Sequence, residues 1–138
     1  MAIPRSREGR AFFRAAFQRK VDADLLLDND RTTGAVYLAG YAVECGLKTL
    51  MFEIVPVKVH ADLFAEFCGR RAHDFDWLLK RYGQLGGPLV PPEMIKELTY
   101  LNSWTTDLRY SPALIKLADA EDFVASPLQF LSFVERRI

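Results

Sequence analysis

Histidine and cysteine are scarce in this chain, with two of each. Cys45 and Cys68 make neither a disulfide framework nor a CxxC pair, so the expected setting is a reducing compartment, the cytoplasm. With only His60 and His73, neither HExxH nor Cys/His pairs at zinc spacing occur, and no metal is expected. A P-loop, a GxGxxG turn and a GxSxG elbow are all missing, and Gly86-Gly87-Pro88 reads as loop material. These absences argue against the common enzyme classes, and no cofactor is expected. Charge of one sign is not in excess: Lys plus Arg and Asp plus Glu both number 18, so overall charge does not point to nucleic acid. Strand-like alternation is absent apart from a brief stretch at Val55 to Val59 around Pro56. No internal repeat or low-complexity segment is present. The basic N-terminus lacks the continuous apolar stretch of a secretory signal, so none is expected.

What the chain does have is apolar mass. Half of its 138 residues are hydrophobic and ten are Phe, which fits a single domain, residues 1–138, with a substantial core. The most apolar stretch runs from Thr32 to Phe52. A helix this apolar belongs inside a core or inside a membrane. Glu44, Lys48 and Glu53 interrupt it before it reaches the about 20 uninterrupted residues of a spanning helix, so a central core helix is expected and no membrane.

Around that helix the pattern places others. Ser6 to Asp28 reads as a first helix, with Phe13, Phe17, Val21 and Leu25 as its apolar stripe and Arg7, Arg10 and Arg14 on a second face. Asp28-Asn29-Asp30 is a turn, and Thr32 or Thr33 suits the cap of the second helix, which runs to about Ile54 before Pro56. Gly40 and Gly46 inside that helix suggest the close approach of another backbone, since each glycine costs about 1 kcal/mol relative to Ala. His60 to Phe67 fits a short helix closed by Gly69, and the pattern leaves the order of segment 57–71 open. Ala72 to Tyr82 follows, with Gly83 as its stop. Pro92 suits a first helical position, and a helix runs from there to about Trp104. A polar connector, 105–112, precedes a last helix from Leu117 or Asp119 to the C-terminus, in which Pro127 is expected to make a kink rather than start a new helix.

Chemistry-bearing residues are few. Glu44 and Lys48 lie one turn apart, and Tyr37 and Tyr41 extend the same stripe into a polar-aromatic seam. The seam suits an internal ion pair, the lining of a ligand cleft, or a homodimer contact. His73 sits in Arg70-Arg71-Ala72-His73-Asp74, where it suits a phosphate or base contact, or where His73 or Asp74 caps a helix. Arg109, between Asp107 and Tyr110, suits phosphate or carboxylate recognition, or else pairs with Asp107 or Glu44. The first twenty residues carry Arg5, Arg7, Arg10, Arg14, Arg19 and Lys20 against Glu8 alone, a basic face for phosphate, for an acidic partner, or simply for solvent.

Three segments taken in order resemble a known family. Tyr37-Leu38-Ala39-Gly40-Tyr41-Ala42-Val43-Glu44-Cys45-Gly46-Leu47-Lys48 resembles the second helix of HEPN domains. His73-Asp74, followed by Trp77-Leu78-Leu79, resembles the His-Asp helix start of that family, and Leu108-Arg109-Tyr110 with Pro112 resembles the connector before its last helix. The resemblance spans Phe12 to Val134. It implies an all-α, up-and-down helical bundle of four to five helices, often a homodimer. Many HEPN proteins are metal-independent ribonucleases. Others are non-catalytic or nucleotide-associated partners, often beside a minimal nucleotidyltransferase in toxin–antitoxin systems. The catalytic members share an Arg followed, after four to six residues, by a His. Here no Arg stands five to seven positions before His60 or His73, and no His follows Arg109.

Three expectations follow. The first is a non-catalytic interaction module, homodimeric and working with such a nucleotidyltransferase, RNA or a nucleotide. The second is a ribonuclease with an atypical site in which His73, Arg109 and Glu44 converge. The third is a nucleotide or RNA binder using the Arg7, Arg10 and Arg14 face. Candidate nucleotide or RNA contacts are Arg109, Tyr110, Lys48, Tyr41, Arg70 and Arg71.

Overall fold

The computed structural model describes residues 3–105, 108, 112 and 114–138, without the side chains of 103–105. Among the described residues the protein is all-helical and no strand occurs. The helices are α1 (Arg7–Asp28), α2 (Thr32–Ile54), α3 (His60–Glu66), α4 (Phe75–Gln84), α5 (Pro92–Thr105), α6 (Leu117–Ala125) and α7 (Pro127–Arg137), with 3₁₀ turns at Val57–Val59 and Arg70–His73. This exceeds the four to five helices expected, because segment 57–71 folds into short helices and the last helix divides at Pro127.

α2 is the axis of the molecule. It packs against α1, α4, α5, α6 and α7, and every residue from Ala42 to Phe52 is buried. A helix surrounded on all sides must be apolar on all sides, which accounts for the composition of 32–52. α7 crosses it at Gly46, where a Cβ would stand 2.9 Å from Phe130 Cε1 and 3.4 Å from atoms of Leu131 and Val134. What approaches Gly46 is therefore a set of α7 side chains, not the backbone that the glycines suggest.

α1 begins where Ser6 Oγ accepts from Gly9 N at 2.9 Å. It ends in a Schellman motif: Arg31 N–H donates to Leu26 O at 2.9 Å and Asp30 N–H to Leu27 O at 3.0 Å. Asp30 takes the left-handed conformation this requires (φ 59°), which Asp tolerates better than most residues. α2 starts at once, so neither threonine caps it. Arg31 occupies the N-cap without a side-chain bond, Thr32 Oγ1 is buried without a partner, and Thr33 Oγ1 accepts from Ile115 N at 3.3 Å.

The apolar stripe of α1 differs from the expected one. Phe13 is buried, but Val21 and Leu25 are 66% and 62% exposed. The buried line is Gly9, Phe13, Ala16 and Ala23. Steps of four residues advance 400° around a helix of 3.6 residues per turn, so a strict four-residue series drifts by about 120° over three steps. Only mixed steps of three and four stay on the core side.

α4 also ends in a Schellman motif, centred on Gly86 (φ 92°) and not on Gly83. Gly87 N–H donates to Tyr82 O at 2.9 Å and Gly86 N–H to Gly83 O at 3.0 Å. At Pro127 the chain divides into α6 and α7 instead of kinking one helix. Pro127 is the first residue of α7, and Ser126 stays in the right-handed helical region (φ −55°, ψ −46°) without capping through its side chain. The missing proline N–H ends one ladder of backbone bonds.

Candidate functional site

The seam on α2 becomes a closed polar cluster. Lys48 Nζ donates to Glu44 Oε2 at 2.9 Å. The other carboxylate oxygen, Glu44 Oε1, accepts from His73 Nδ1 at 2.9 Å. The side chains of Lys48 and Glu44 are 4% and 9% exposed, whereas that of His73 is 40% exposed. Burying either charge alone would cost several kcal/mol, which is why both oxygens of Glu44 and the ammonium of Lys48 are engaged.

The ammonium is further enclosed by aromatic rings. Lys48 Nζ lies 5.6 Å from the centroid of Phe12, on α1, and 5.3 Å from that of Phe67, which follows α3. At such distances the ring quadrupole attracts a cation that has lost its water. Phe12 and Phe67 meet edge to face with centroids 6.0 Å apart. Neither phenylalanine was legible as part of the site, because no local pattern ties Phe12 or Phe67 to Lys48. Lys48, expected among the nucleotide contacts, is enclosed here, with 4% of its side chain exposed.

Along α2 the stripe continues outward. Tyr41 meets the His73 ring edge to face at 6.5 Å, and the hydroxyls of Tyr37 and Tyr41 are 3.0 Å apart. Both tyrosines are half-buried. Because a carboxylate only accepts, His73 carries a proton on Nδ1, and its Nε2 is the atom left for other partners. An imidazole held at one nitrogen by a buried carboxylate and half-exposed has the geometry of an oriented acid–base group.

The position of His73 depends on the turn that carries it. The 3₁₀ turn Arg70–His73 leads into α4, whose N-cap is Asp74: its Oδ1 accepts from Asp76 N at 2.9 Å. Asp74 therefore caps the helix and leaves His73 free to face α2. Asn102 on α5 supports the same turn, with Oδ1 accepting from Phe75 N at 3.1 Å; sequence reasoning missed it. Arg70 and Arg71 are exposed on this turn. Arg109 and Tyr110 lie outside the described residues, so the expected convergence on His73 is seen for Glu44 only.

The other histidine is structural. His60 is buried, donates from Nε2 to Val55 O at 3.1 Å, and packs edge-on against Phe52 at 5.0 Å. Cys45 is likewise no nucleophile: burial, and then the charge of Glu44, push its thiol up to about 11, which keeps it protonated near neutral pH. Among the described residues no three His, Cys, Asp or Glu side chains gather as a metal cage, and no helix is long and apolar enough to cross a membrane.

Of the basic N-terminal residues, several are already engaged. Arg5 bonds to Glu53 through its backbone N–H, at 3.0 Å from Oε1, and through its guanidinium. Arg19 pairs with Asp22 and Lys20 with Asp24. Arg10 donates to the carbonyls of Pro4 and Arg5. Comparison with known protein families, curated proteins and solved structures finds no match to this chain.

Proposed function

We propose that this chain is a HEPN-like, up-and-down helical bundle acting in the cytoplasm as a non-catalytic interaction module. In this reading it forms a homodimer and works with a partner such as a minimal nucleotidyltransferase, in the manner of a toxin–antitoxin pair, or with RNA or a nucleotide. The observation that carries the reading is the closure of the α2 seam. Both oxygens of Glu44 are occupied and Lys48 is sealed beneath Phe12 and Phe67, so the most polar stretch of the central helix is spent on structure. The missing Arg-to-His spacing points the same way.

His73 favours a second reading, a metal-independent ribonuclease with an atypical site. Its Nδ1 is held by Glu44 and its side chain is half-exposed, which suits proton transfer at a ribose hydroxyl. Incubation with structured RNA, with and without EDTA, separates the two. The first reading expects intact RNA in both. Cleavage that survives EDTA and disappears in His73→Ala rejects it in favour of the second. Light scattering at micromolar concentration is expected to give a dimer, and a monomer would remove that part of the proposal. If RNA is bound without cleavage, its affinity must fall as salt rises, because phosphate contacts release counterions.

A further inference from the structure

α1 and α3 form a groove of about 400 Å³ lined by Arg7, Glu8, Ala11, Ala61 and Phe64. Its lining includes two small exposed residues, one from each helix, and an exposed phenylalanine. The Phe64 ring lies 6.2 Å from that of Phe12, so this phenylalanine is braced by the cluster enclosing Lys48. Along the same helix run Arg7, Arg10 and Arg14 at steps of three and four, one face of α1. None of the three pairs with a carboxylate among the described residues, unlike Arg5, Arg19 and Lys20, and of the three Arg10 is held by the carbonyls of Pro4 and Arg5. Lys58 is exposed just before α3; of the acids nearby in sequence, Glu66 is already paired with Arg81, which leaves Glu8 and Asp62, so cations are in excess here although the chain as a whole is neutral.

We propose that this groove docks an acidic amphipathic helix of a partner protein. Aliphatic side chains at helical spacing enter between Ala11, Ala61 and Phe64, and flanking carboxylates meet the exposed Arg7 and Arg14. A nucleic acid fits less well, since the groove is mainly apolar and offers a continuous phosphate backbone no second row of cations opposite α1. A lipid surface fits less well too, because the feature is concave, whereas membrane attachment needs apolar side chains that protrude. The proposal gives the interaction module a partner chemistry but stands on residues outside the Glu44 cluster. The nuclease and light-scattering measurements do not involve the groove, so either proposal can fail without the other.

The test uses the full chain and a labelled synthetic peptide with Leu at helical spacing and Glu elsewhere, followed by fluorescence anisotropy. Binding is expected, weakening as salt rises from about 50 to 200 mM. Ala11→Glu and Ala61→Glu, both at exposed positions, should each reduce affinity by at least about tenfold, a difference of about 1.4 kcal/mol in binding free energy, with unchanged circular dichroism. Arg7→Glu should weaken it further at low salt, and a peptide with Lys in place of Glu should not bind. The proposal is overturned by failure of the acidic peptide to bind, or by binding that ignores Ala11→Glu and Ala61→Glu. It is equally overturned if a labelled single-stranded RNA, or vesicles of zwitterionic and anionic lipid, bind more tightly than the peptide and lose binding in the same variants.

Discussion

Two helices of this protein carry an acid–base pair at the same four-residue spacing, and the two pairs do different things. On α2, Glu44 and Lys48 are 9% and 4% exposed. On α1, Lys20 and Asp24 are 12% and 52% exposed. Spacing alone cannot tell them apart. What differs is the company each helix keeps. α2 is covered on every side from Ala42 to Phe52, whereas Asp24 stands in solvent. An ion pair in water contributes a few tenths of a kcal/mol. A buried pair has lost the hydration of both ions and holds only if every partner stays in place. The α2 pair accordingly recruits His73 from another element and two aromatic rings, while the α1 pair recruits nothing further. Burial turns the same motif from a surface decoration into a lock on the fold.

The strongest way to break this contrast is Glu44→Gln. It leaves the ammonium of Lys48 buried beneath Phe12 and Phe67 without a counter-charge, and a loss of about 3–5 kcal/mol is expected in urea unfolding. Lys48→Met should cost less, since Glu44 keeps His73. The double variant should be more stable than Glu44→Gln alone, because no orphaned cation remains. A loss below about 1 kcal/mol for Glu44→Gln would place the α2 pair in the same class as the α1 pair, and the contrast would collapse.

Next in size is Gly46→Ala. Helix propensity alone promises a gain of about 1 kcal/mol, as it would at an exposed position. The added methyl would stand 2.9 Å from the Phe130 ring, and overpacking of this kind costs about 1–3 kcal/mol. A net loss of about 1 kcal/mol is expected. Phe130→Leu in the Gly46→Ala background should recover part of it if ring contact is the cause. A gain in stability for Gly46→Ala would mean that α7 is more loosely seated on α2 than the geometry implies.

Legibility in the sequence follows the same division between local and distant causes. The α1 and α2 boundaries, the turn between them and Pro92 at the head of α5 are readable, since turn residues and prolines act within a turn of where they stand, although the threonine cap expected for α2 is not made. Burial of the Glu44–Lys48 stretch was readable from its neighbours. The core side of α1 was misjudged because a series of fours looks helical yet rotates off the face. Gly83 carries the same stop signal as Gly86 and precedes it, and only the backbone conformation distinguishes the two. The link from His73 to Glu44 spans 29 residues, and the enclosure of Lys48 joins three segments. No local pattern encodes either one. Glu44, Lys48 and His73 stand out in the sequence; the fold adds Phe12 and Phe67 and decides which side chains are sealed.

A third pair gives a smaller effect with a pH signature. Arg81 on α4 donates to both carboxylate oxygens of Glu66 on α3 at 2.8 Å. The hydrogen bond to Arg81 holds the Glu66 carboxyl below its usual value. A carboxyl lowered on folding stabilises the protein above the pKa it has when unfolded, and that contribution is lost as pH falls through its lower folded value. Both side chains are partly exposed, so Glu66→Gln should cost about 0.2–1 kcal/mol near pH 7. The difference from the unaltered protein should shrink as pH falls below the usual carboxylate range, about 4. A cost independent of pH would assign Glu66 a packing role instead.

The smallest expected change sharpens the comparison most directly. Asp24→Asn removes the acid of the α1 pair, which stands in solvent beside a Lys20 side chain that is 12% exposed. Lys20 also precedes Asp24, the less favourable order for a four-residue pair on a helix. A loss of no more than about 0.5 kcal/mol is expected, and it should vanish at high salt, where exposed charges are screened. Glu44→Gln should keep nearly all of its cost under the same salt, because ions do not enter the space between α1 and α2. Measuring both variants at two salt concentrations therefore asks a sharper question than either loss alone. If Asp24→Asn also proves insensitive to salt, the charge of Lys20 is held by the core line of α1 that its stem follows, and the two pairs differ in degree and not in kind.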